Sequence, residues 1–132
     1  HSLFKMSKKD MTDRIIRAME NPHVDILFHP TGRLIHKREA YELGMASIIK
    51  AAKRTGTVLE ANAFPDRLDL RDMDIRMALE AGVKIAIDSD AHHKNHFSVL
   101  KYGIAQTRRG WAEKGDVVNT RPVNEMLRQL KH

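Results

Sequence analysis

The stretch "VKIAIDSDAHH", residues 83–93, decides the fold because an apolar, strand-like run is followed directly by a run of polar residues. Its first half, Lys84–Ile87, has the length and the β-branched content of a strand buried in a sheet. The polar residues that follow are Asp88, Asp90, His92 and His93. Isolated carboxylates and imidazoles are costly to remove from water unless something pairs with them. We therefore expect this polar run to line a site for a metal ion or a phosphate group.

Two similar apolar runs lie upstream, at Val24–Phe28 and Val58–Ala61. Residues with helical spacing precede, separate and follow the three runs, so the predicted order is α-β-α-β-α-β-α. Gly56 and Gly82 each stand between a helix and the next strand, where a left-handed residue commonly ends a helix. Alternating helices and strands favour parallel pairing with right-handed crossovers. The sequence thus predicts an α/β fold made of parallel β/α units.

Capping residues mark the predicted helix boundaries. Ser7, followed three residues later by Asp10, is typical of a capped helix start, with Asp in place of the usual Glu. Asp69 is in position to cap the third predicted helix. A last helix is predicted after Pro122, because proline suits the first helical turn.

Length and composition restrict the class of protein. The 132 residues predict one domain. No apolar stretch approaches the roughly 20 residues of a transmembrane helix, so we expect no membrane partner. The absence of cysteine excludes disulfides and thiolate metal ligands, and it fits a cytoplasmic protein. The formal net charge of +6 favours an anionic partner such as DNA, although a merely Lys-rich solvated surface is the alternative.

Polar residues fall at the ends of all three predicted strands. His29 follows the first strand, and Glu60 and Asn62 lie late in the second. Chemistry gathers at the carboxyl ends of parallel strands, so we expect these groups to converge. Side chains alternate along a strand, which puts Glu60 and Asn62 on one face. Asp88, Asp90 and His92 would share a face if the extended chain continues. Each motif alone also occurs by chance, and the coincidence at three strand ends favours a site.

In a chain without cysteine, a metal ion would be held by His, Asp and Glu, a ligand set that suits Zn, Mn or Fe. Arg33 and Arg67 follow the first two strands, where a guanidinium group binds phosphate oxygens well. The alternative is that either arginine pairs with Asp66 or Asp69. Four further histidines are interpreted as surface residues or solvated neighbours of the ligands: His23, His36, His93 and His96.

Four motifs together resemble one known family. They are "HPTGRLI" (29–35), "ANAFPDRLDL" (61–70), "DSDAHH" (88–93) and "YGIAQTRRGWAEKGDVVNT" (102–120). The chain resembles the C-terminal PHP (polymerase and histidinol phosphatase) domain of bacterial and archaeal family X DNA polymerases over nearly its whole length. The resemblance implies a distorted (β/α)7, TIM-like barrel, of which residues 1–132 would form the C-terminal part.

The resemblance also implies a trinuclear divalent metal site at the strand ends. Four positions of this sequence carry over as metal ligands, namely His1, His29, Asp90 and His92, with Asp90 and His92 as the catalytic candidates. Glu60 and Asn62 would line the site. The implied activity is metal-dependent phosphoester hydrolysis, as a 3′–5′ exonuclease or 3′-end processing enzyme in DNA repair synthesis. The implied partners are DNA and the polymerase domain of a parent chain.

The sequence departs from the family pattern at Phe28 and Phe64, and the family's opening H-x-H motif would lie before His1. We therefore expect the chain to be the C-terminal half of a PHP domain, to lack most activity by itself, and to self-associate as a dimer. Two alternatives remain open. One is a small-molecule phosphatase of the histidinol-phosphate type, and the other is a non-catalytic, basic DNA-docking module.

Overall fold

Helices and strands alternate along the chain in the structure, a computed structural model that describes residues 5–131. The helices are α1 Lys8–Glu20, α2 Met45–Thr55, α3 Asp72–Glu80, α4 Leu100–Arg109 and α5 Val123–Leu127. The strands are β1 Ile26–Leu27, β2 Val58–Asn62 and β3 Ile85–Asp88. Short 3-10 helices span Lys94–Val99, Lys114–Asp116 and Val118–Thr120. Within the described range, no helix has the length and apolar content needed to cross a membrane.

The three strands form one parallel sheet in the order β1-β2-β3. Ile26 pairs with Val58, and Leu59 pairs with Ile85, so the strands run in sequence order across the sheet. The predicted α/β class and the parallel pairing are confirmed. The first strand is shorter than predicted and begins only at Ile26. The closed (β/α)7 barrel remains a prediction, because residues 5–131 contribute three strands.

The predicted helix ends agree with the structure at Ser7 and Gly56 and differ at Asp69. Ser7 caps α1, its Oγ accepting a hydrogen bond from the Asp10 N–H at 3.1 Å. Gly56 ends α2 with a φ of 72°, which glycine adopts without strain. The prediction that Asp69 caps α3 is wrong. The residue before that helix is Arg71, no side chain caps it, and Asp69 is buried elsewhere.

One face of the sheet carries the main hydrophobic core. Leu27, Leu59 and Ile85 lie side by side in register and point to this face. Helices α2 and α3 cover it with apolar side chains such as Ile48 and Ile75, both fully buried. Burying a side chain of this size stabilises the fold by about 1.5–3 kcal/mol relative to leaving it exposed. This packing fixes the strands and therefore the positions of their carboxyl ends.

The opposite face of the sheet is apolar at one end and polar at the other. Val58 and Ala86 pack under Val118, Met126 and Leu130, which belong to the segment after α4. At the carboxyl ends of the strands the same face carries three polar residues, namely Glu60, Asn62 and Asp88. The C-terminal segment thus covers the apolar half of this face, and the polar half forms the floor of the candidate site.

Hydrogen bonds from Lys131 hold the C-terminal segment against the start of the fold. The Lys131 backbone N–H donates to Asp25 Oδ1 at 2.9 Å, and its Nζ donates to the Met19 carbonyl oxygen at 2.7 Å. Asn119 bonds the outer edge of β3 through both of its amide atoms. The segment from Val117 onward therefore covers the outer edge of β3 and one face of the sheet.

Candidate active site at the carboxyl ends of the strands

His29 and Asp90 meet at the carboxyl ends of β1 and β3. Their Nε2 and Oδ2 atoms lie 3.8 Å apart, and each residue has a left-handed backbone, with φ values of 49° and 50°. The Asp90 N–H donates to Asp88 Oδ1 at 3.0 Å, so the chain turns directly after β3. The extended chain from Asp88 to His92, which is the condition for these residues to share a face, therefore does not occur. The turn aims Asp90 toward β1 instead.

Arg67 also reaches Asp90. Its Nε donates to Asp90 Oδ2 at 3.1 Å, and the two side chains are only 14% and 21% exposed. Partial burial makes this ion pair stronger than a fully solvated one. The sequence alternative, in which the arginine pairs with a carboxylate, thus occurs with Asp90 rather than with Asp66 or Asp69.

Arg33 lies behind Arg67 and binds its backbone. Its Nε donates to the Arg67 carbonyl oxygen at 2.7 Å, and its Nη2 donates to the Leu68 carbonyl oxygen. Two of its donor groups are thus engaged in joining the loop after β1 to the loop after β2. Arg33 therefore stabilises the loop that carries Arg67.

Asp69 supplies a second connection between these loops, and sequence reasoning missed this role. Its carboxylate accepts hydrogen bonds from the Thr31 N–H at 3.1 Å, the Thr31 hydroxyl at 2.9 Å and the Gly32 N–H at 3.0 Å. The side chain is fully buried, and burial raises its pKa. The signal in the sequence is a carboxylate between two leucines, which favours burial only when partners exist.

Asn62 orients His29 and Glu60. Its Oδ1 accepts from the Phe64 N–H at 2.9 Å, which fixes the direction of the amide. Its Nδ2 then donates to Glu60 Oε1 at 3.2 Å and lies 3.3 Å from His29 Nδ1. The expectation that Glu60 and Asn62 share a face is confirmed. Their amide and carboxyl groups hold the imidazole from the inner side of the site.

Glu60 is almost completely buried and carries a proton at neutral pH. Burial, followed by a hydrogen bond with the Asp88 side chain, raises its pKa to about 9. The same carboxyl group accepts the His29 backbone N–H. Burial also lowers the pKa of His29, which therefore stays neutral near pH 7. A neutral imidazole is the form that binds a metal ion.

Hydrogen bonds distinguish His92 from its histidine neighbours. His92 Nδ1 donates to the Asp90 carbonyl oxygen at 2.7 Å, which leaves a lone pair on its Nε2. His93 Nδ1 and His96 Nδ1 instead accept backbone N–H groups at 3.3 and 3.2 Å, which places the proton on their Nε2. His96 also packs against the ring of Phe64, with the ring centroids 5.2 Å apart. Of the three, His92 has the tautomer of a metal ligand, and its side chain is 80% exposed.

The donor chemistry of this region fits a divalent cation, and the described residues supply part of a coordination shell. His29 and Asp90 are adjacent, and His92 lies beside Asp90. Between residues 5 and 131, no three His, Asp or Glu side chains are already arranged around a single point. His1 lies outside the described residues. The Asp88 side chain accepts the Asp90 N–H through Oδ1 and forms a hydrogen bond with the Glu60 carboxyl group, so it is part of the floor beneath these ligands.

Comparison with known proteins gives the chain several relatives. It is 40% identical over 131 residues to the DNA polymerase/3′-5′ exonuclease PolX of Bacillus subtilis (strain 168), which is 99% of this chain and 23% of that protein. It is 33% identical over 87 residues to a probable phosphatase of Thermoanaerobacter sp. (strain X514), which is 61% of this chain and 33% of that protein. A probable phosphatase of Caldanaerobacter subterraneus is 31% identical over 87 residues. No protein-family model matches the chain.

The chain spans about a quarter to a third of the length of these curated relatives. The alignment with the polymerase and exonuclease covers both β1 and β3 and therefore includes His29, Arg67 and Asp90. The resemblance to family X DNA polymerases, first seen in four short motifs, is confirmed over almost the whole chain.

Proposed function

We propose that this chain, a relative of the family X DNA polymerases, forms part of a metal-dependent phosphoesterase module that hydrolyses phosphodiester bonds at DNA 3′ ends. The observation that carries the proposal is the convergence of His29, Asp90 and Arg67 at the carboxyl ends of parallel strands. An imidazole, a carboxylate and a guanidinium at one point suit a cation and a phosphate together. The 40% identity to a DNA polymerase/3′-5′ exonuclease supports DNA as the substrate.

His29, Asp90 and His92 are the described residues that would hold the cation, together with His1. When bound, a divalent ion activates water and stabilises the charge that develops on a phosphate. Zn, Mn and Fe all suit this ligand set. Asn62 and Glu60 hold the His29 ring in place, and the hydrogen bond from His92 to the Asp90 carbonyl oxygen keeps the His92 Nε2 lone pair available.

Arg67 is the described residue that would bind the scissile phosphate. Its guanidinium lies beside Asp90, so a phosphate oxygen bound there would be next to the metal ligands. Arg33 contributes indirectly, because its hydrogen bonds to the Arg67 and Leu68 carbonyl oxygens hold the loop. The polymerase domain of a longer parent chain is the proposed protein partner. The formal charge of +6 supports contact with the DNA backbone.

The test is a replacement experiment in the Bacillus subtilis relative. The matching 131 residues of that protein are exchanged for this chain, and removal of nucleotides from a 3′-labelled oligonucleotide is measured with Mn²⁺. We expect the hybrid to retain 3′–5′ exonuclease activity. Asp90→Asn in the hybrid should lower the rate by about 100-fold or more, since it removes a metal ligand.

Arg76→Gln serves as the control in the same hybrid. This arginine is exposed and pairs with Glu80 on α3, away from the strand ends, so its loss should leave the rate unchanged. A folded hybrid without exonuclease activity would contradict the proposal. An Asp90→Asn variant as active as the unsubstituted hybrid would do the same.

A small-molecule phosphatase is the second candidate. Similarity to probable phosphatases over 87 residues favours it, because the region they share includes most of the strand ends. The hybrid separates the two functions when it is given a phosphomonoester such as p-nitrophenyl phosphate beside the oligonucleotide. Faster hydrolysis of the monoester would favour the phosphatase. A hybrid that binds DNA but no metal ion would favour a non-catalytic docking module.

A further inference from the structure

Asp90 is paired with an internal cation. Arg67 Nε donates to Asp90 Oδ2 at 3.1 Å, and this is the same oxygen that faces His29 Nε2 at 3.8 Å. Oδ2 is the Asp90 oxygen that lies nearest His29, so a metal ion held by both residues would approach the oxygen that Arg67 now uses. A metal ion and a guanidinium group at one carboxylate repel each other, which weakens the binding of each.

The present arrangement leaves one donor of the Arg67 guanidinium without a partner. Among the described residues 5–131, Arg67 Nη1 is a buried side-chain donor that lacks a hydrogen-bond acceptor. Buried donors are nearly always satisfied in folded proteins. A phosphate oxygen is an acceptor that this donor could use.

The backbone of Arg67 is fixed, so any rearrangement is confined to its side chain. The Arg67 N–H donates to the Phe64 carbonyl oxygen at 2.8 Å, and the Arg67 carbonyl oxygen accepts from Arg33 Nε at 2.7 Å. The guanidinium can leave Asp90 by side-chain rotation while the loop stays in place.

We propose that Arg67 and a divalent cation are alternative partners of the Asp90 carboxylate, so that binding of the ion releases the guanidinium to a phosphate oxygen. This inference rests on the proposed function and adds an order of events to it. In the metal-free protein Arg67 neutralises Asp90. With a divalent ion held by His29 and Asp90, the Arg67 guanidinium would lose its contact with Asp90 and would be available to a phosphate oxygen.

Calorimetric titration of this 132-residue chain with Mn²⁺ tests the proposal. Arg67→Gln removes the competing cation, so its Mn²⁺ affinity should be roughly 3- to 10-fold higher than that of the unsubstituted chain, as expected for the loss of a partly buried ion pair. Arg76→Gln is the matched control, since it removes the same charge from an exposed ion pair with Glu80. Its Mn²⁺ affinity should equal that of the unsubstituted chain.

A second measurement follows Arg67 in the unsubstituted chain and uses a variant only to assign its signal. The Arg67 Nε–Hε signal, assigned by its disappearance in Arg67→Lys, is followed by NMR as the diamagnetic ion Zn²⁺ is added. We expect the signal to move toward the position of solvent-exposed arginines and its hydrogen exchange to accelerate. A signal that stays in place at saturating Zn²⁺ would overturn the proposal even if Arg67→Gln failed to fold.

The calorimetric outcomes separate this inference from the proposed function. Equal or weaker Mn²⁺ binding by folded Arg67→Gln would overturn the competition and leave the metal site intact. Failure of both the unsubstituted chain and Arg67→Gln to bind Mn²⁺ would overturn the competition in this chain, whereas the proposed function is tested separately by the exonuclease activity of the hybrid. Higher affinity in Arg76→Gln as well would mean that net charge, rather than the Asp90 contact, controls binding.

Discussion

Asn119 forms hydrogen bonds with both backbone groups of Ile87, with its Oδ1 3.1 Å from the Ile87 nitrogen and its Nδ2 2.6 Å from the Ile87 carbonyl oxygen. The amide side chain thus takes the place of a neighbouring strand at the outer edge of β3. A second contact, a parallel bridge between Ile85 and Val117, lies beside it. Together they protect an edge that would otherwise offer unpaired groups to other chains.

The first prediction concerns this edge. Asn119→Ala should lower the free energy of unfolding by about 1–3 kcal/mol, because the Ile87 N–H and carbonyl oxygen lose their partners. Denaturant titration followed by circular dichroism measures the change. Asn124→Ala, at an exposed position of α5, is the control and should change stability by less than about 0.5 kcal/mol. Equal stability of the two variants would contradict the assigned role of Asn119.

The connection between the two loops gives a second prediction. Asp69→Asn should destabilise the chain by about 1–3 kcal/mol, since the new NH2 group would face the N–H groups that the carboxylate now accepts. Asp66→Asn is the matched control in the same loop. Its ion pair with Lys37 is exposed, and its loss should change stability by less than about 1 kcal/mol. Thermal unfolding of the two variants, measured at the same pH, tests whether Asp69→Asn loses more stability than Asp66→Asn.

Sequence reasoning succeeded where periodicity carries the information. The apolar runs Val58–Ala61 and Lys84–Ile87 predicted strands, which the structure confirms in parallel order, and the site predicted from the polar residues after them stays a prediction. It failed where backbone conformation departs from the regular pattern. His29 and Asp90 adopt positive φ values, which are uncommon for non-glycine residues although less so for His and Asp, and residue type alone does not locate such a turn. The partner of Asp69 lies 38 residues away, which local patterns cannot report.

Buried Glu60 gives a prediction about pH. Its pKa of about 9 in the folded chain lies above the ordinary value of 4.5, so the native state binds a proton that the unfolded chain releases. The free energy of unfolding should therefore fall as pH rises from about 4.5 toward 9, measured with a chelator present. Glu60→Gln keeps the neutral form and should reduce this slope. Glu80→Gln, on an exposed glutamate, should keep it. An unchanged slope in Glu60→Gln would show that another group titrates.

DNA binding should be weak, insensitive to base sequence and strongly dependent on salt, because contacts to phosphate would dominate. Fluorescence anisotropy with a labelled single strand at several salt concentrations measures the slope of log K against log salt. With a divalent ion present at constant concentration, Arg67→Gln should reduce the slope by about 0.7, the value for one phosphate contact on a single strand. Lys53→Gln, which removes a charge from α2, should have a smaller effect. Binding that is the same at low and moderate salt would contradict the prediction.

Self-association remains a prediction, and the structure changes its expected location. Segment 117–130 covers the apolar half of the sheet face, so β1 at the other edge is the remaining candidate surface. Light scattering over a dilution series should detect a dimer. Phe28→Lys places a charge directly after β1, where Phe28 is 54% exposed, and should favour the monomer. Phe97→Lys, at a similarly exposed phenylalanine outside the sheet, should leave the dimer intact. A monomer at every concentration would refute the prediction.

The contacts of Lys131 have a consequence for the order in which the protein forms during synthesis. This residue bonds Asp25 and Met19 across 106 and 112 residues of sequence. Closing a loop of that length is entropically costly and slow relative to local helix formation. A nascent chain that has reached β3 can already pack α2 and α3 against one side of the strands. Its other side stays exposed to water until the segment around Lys131 has been synthesised and has docked, so one face of the sheet is completed after the other.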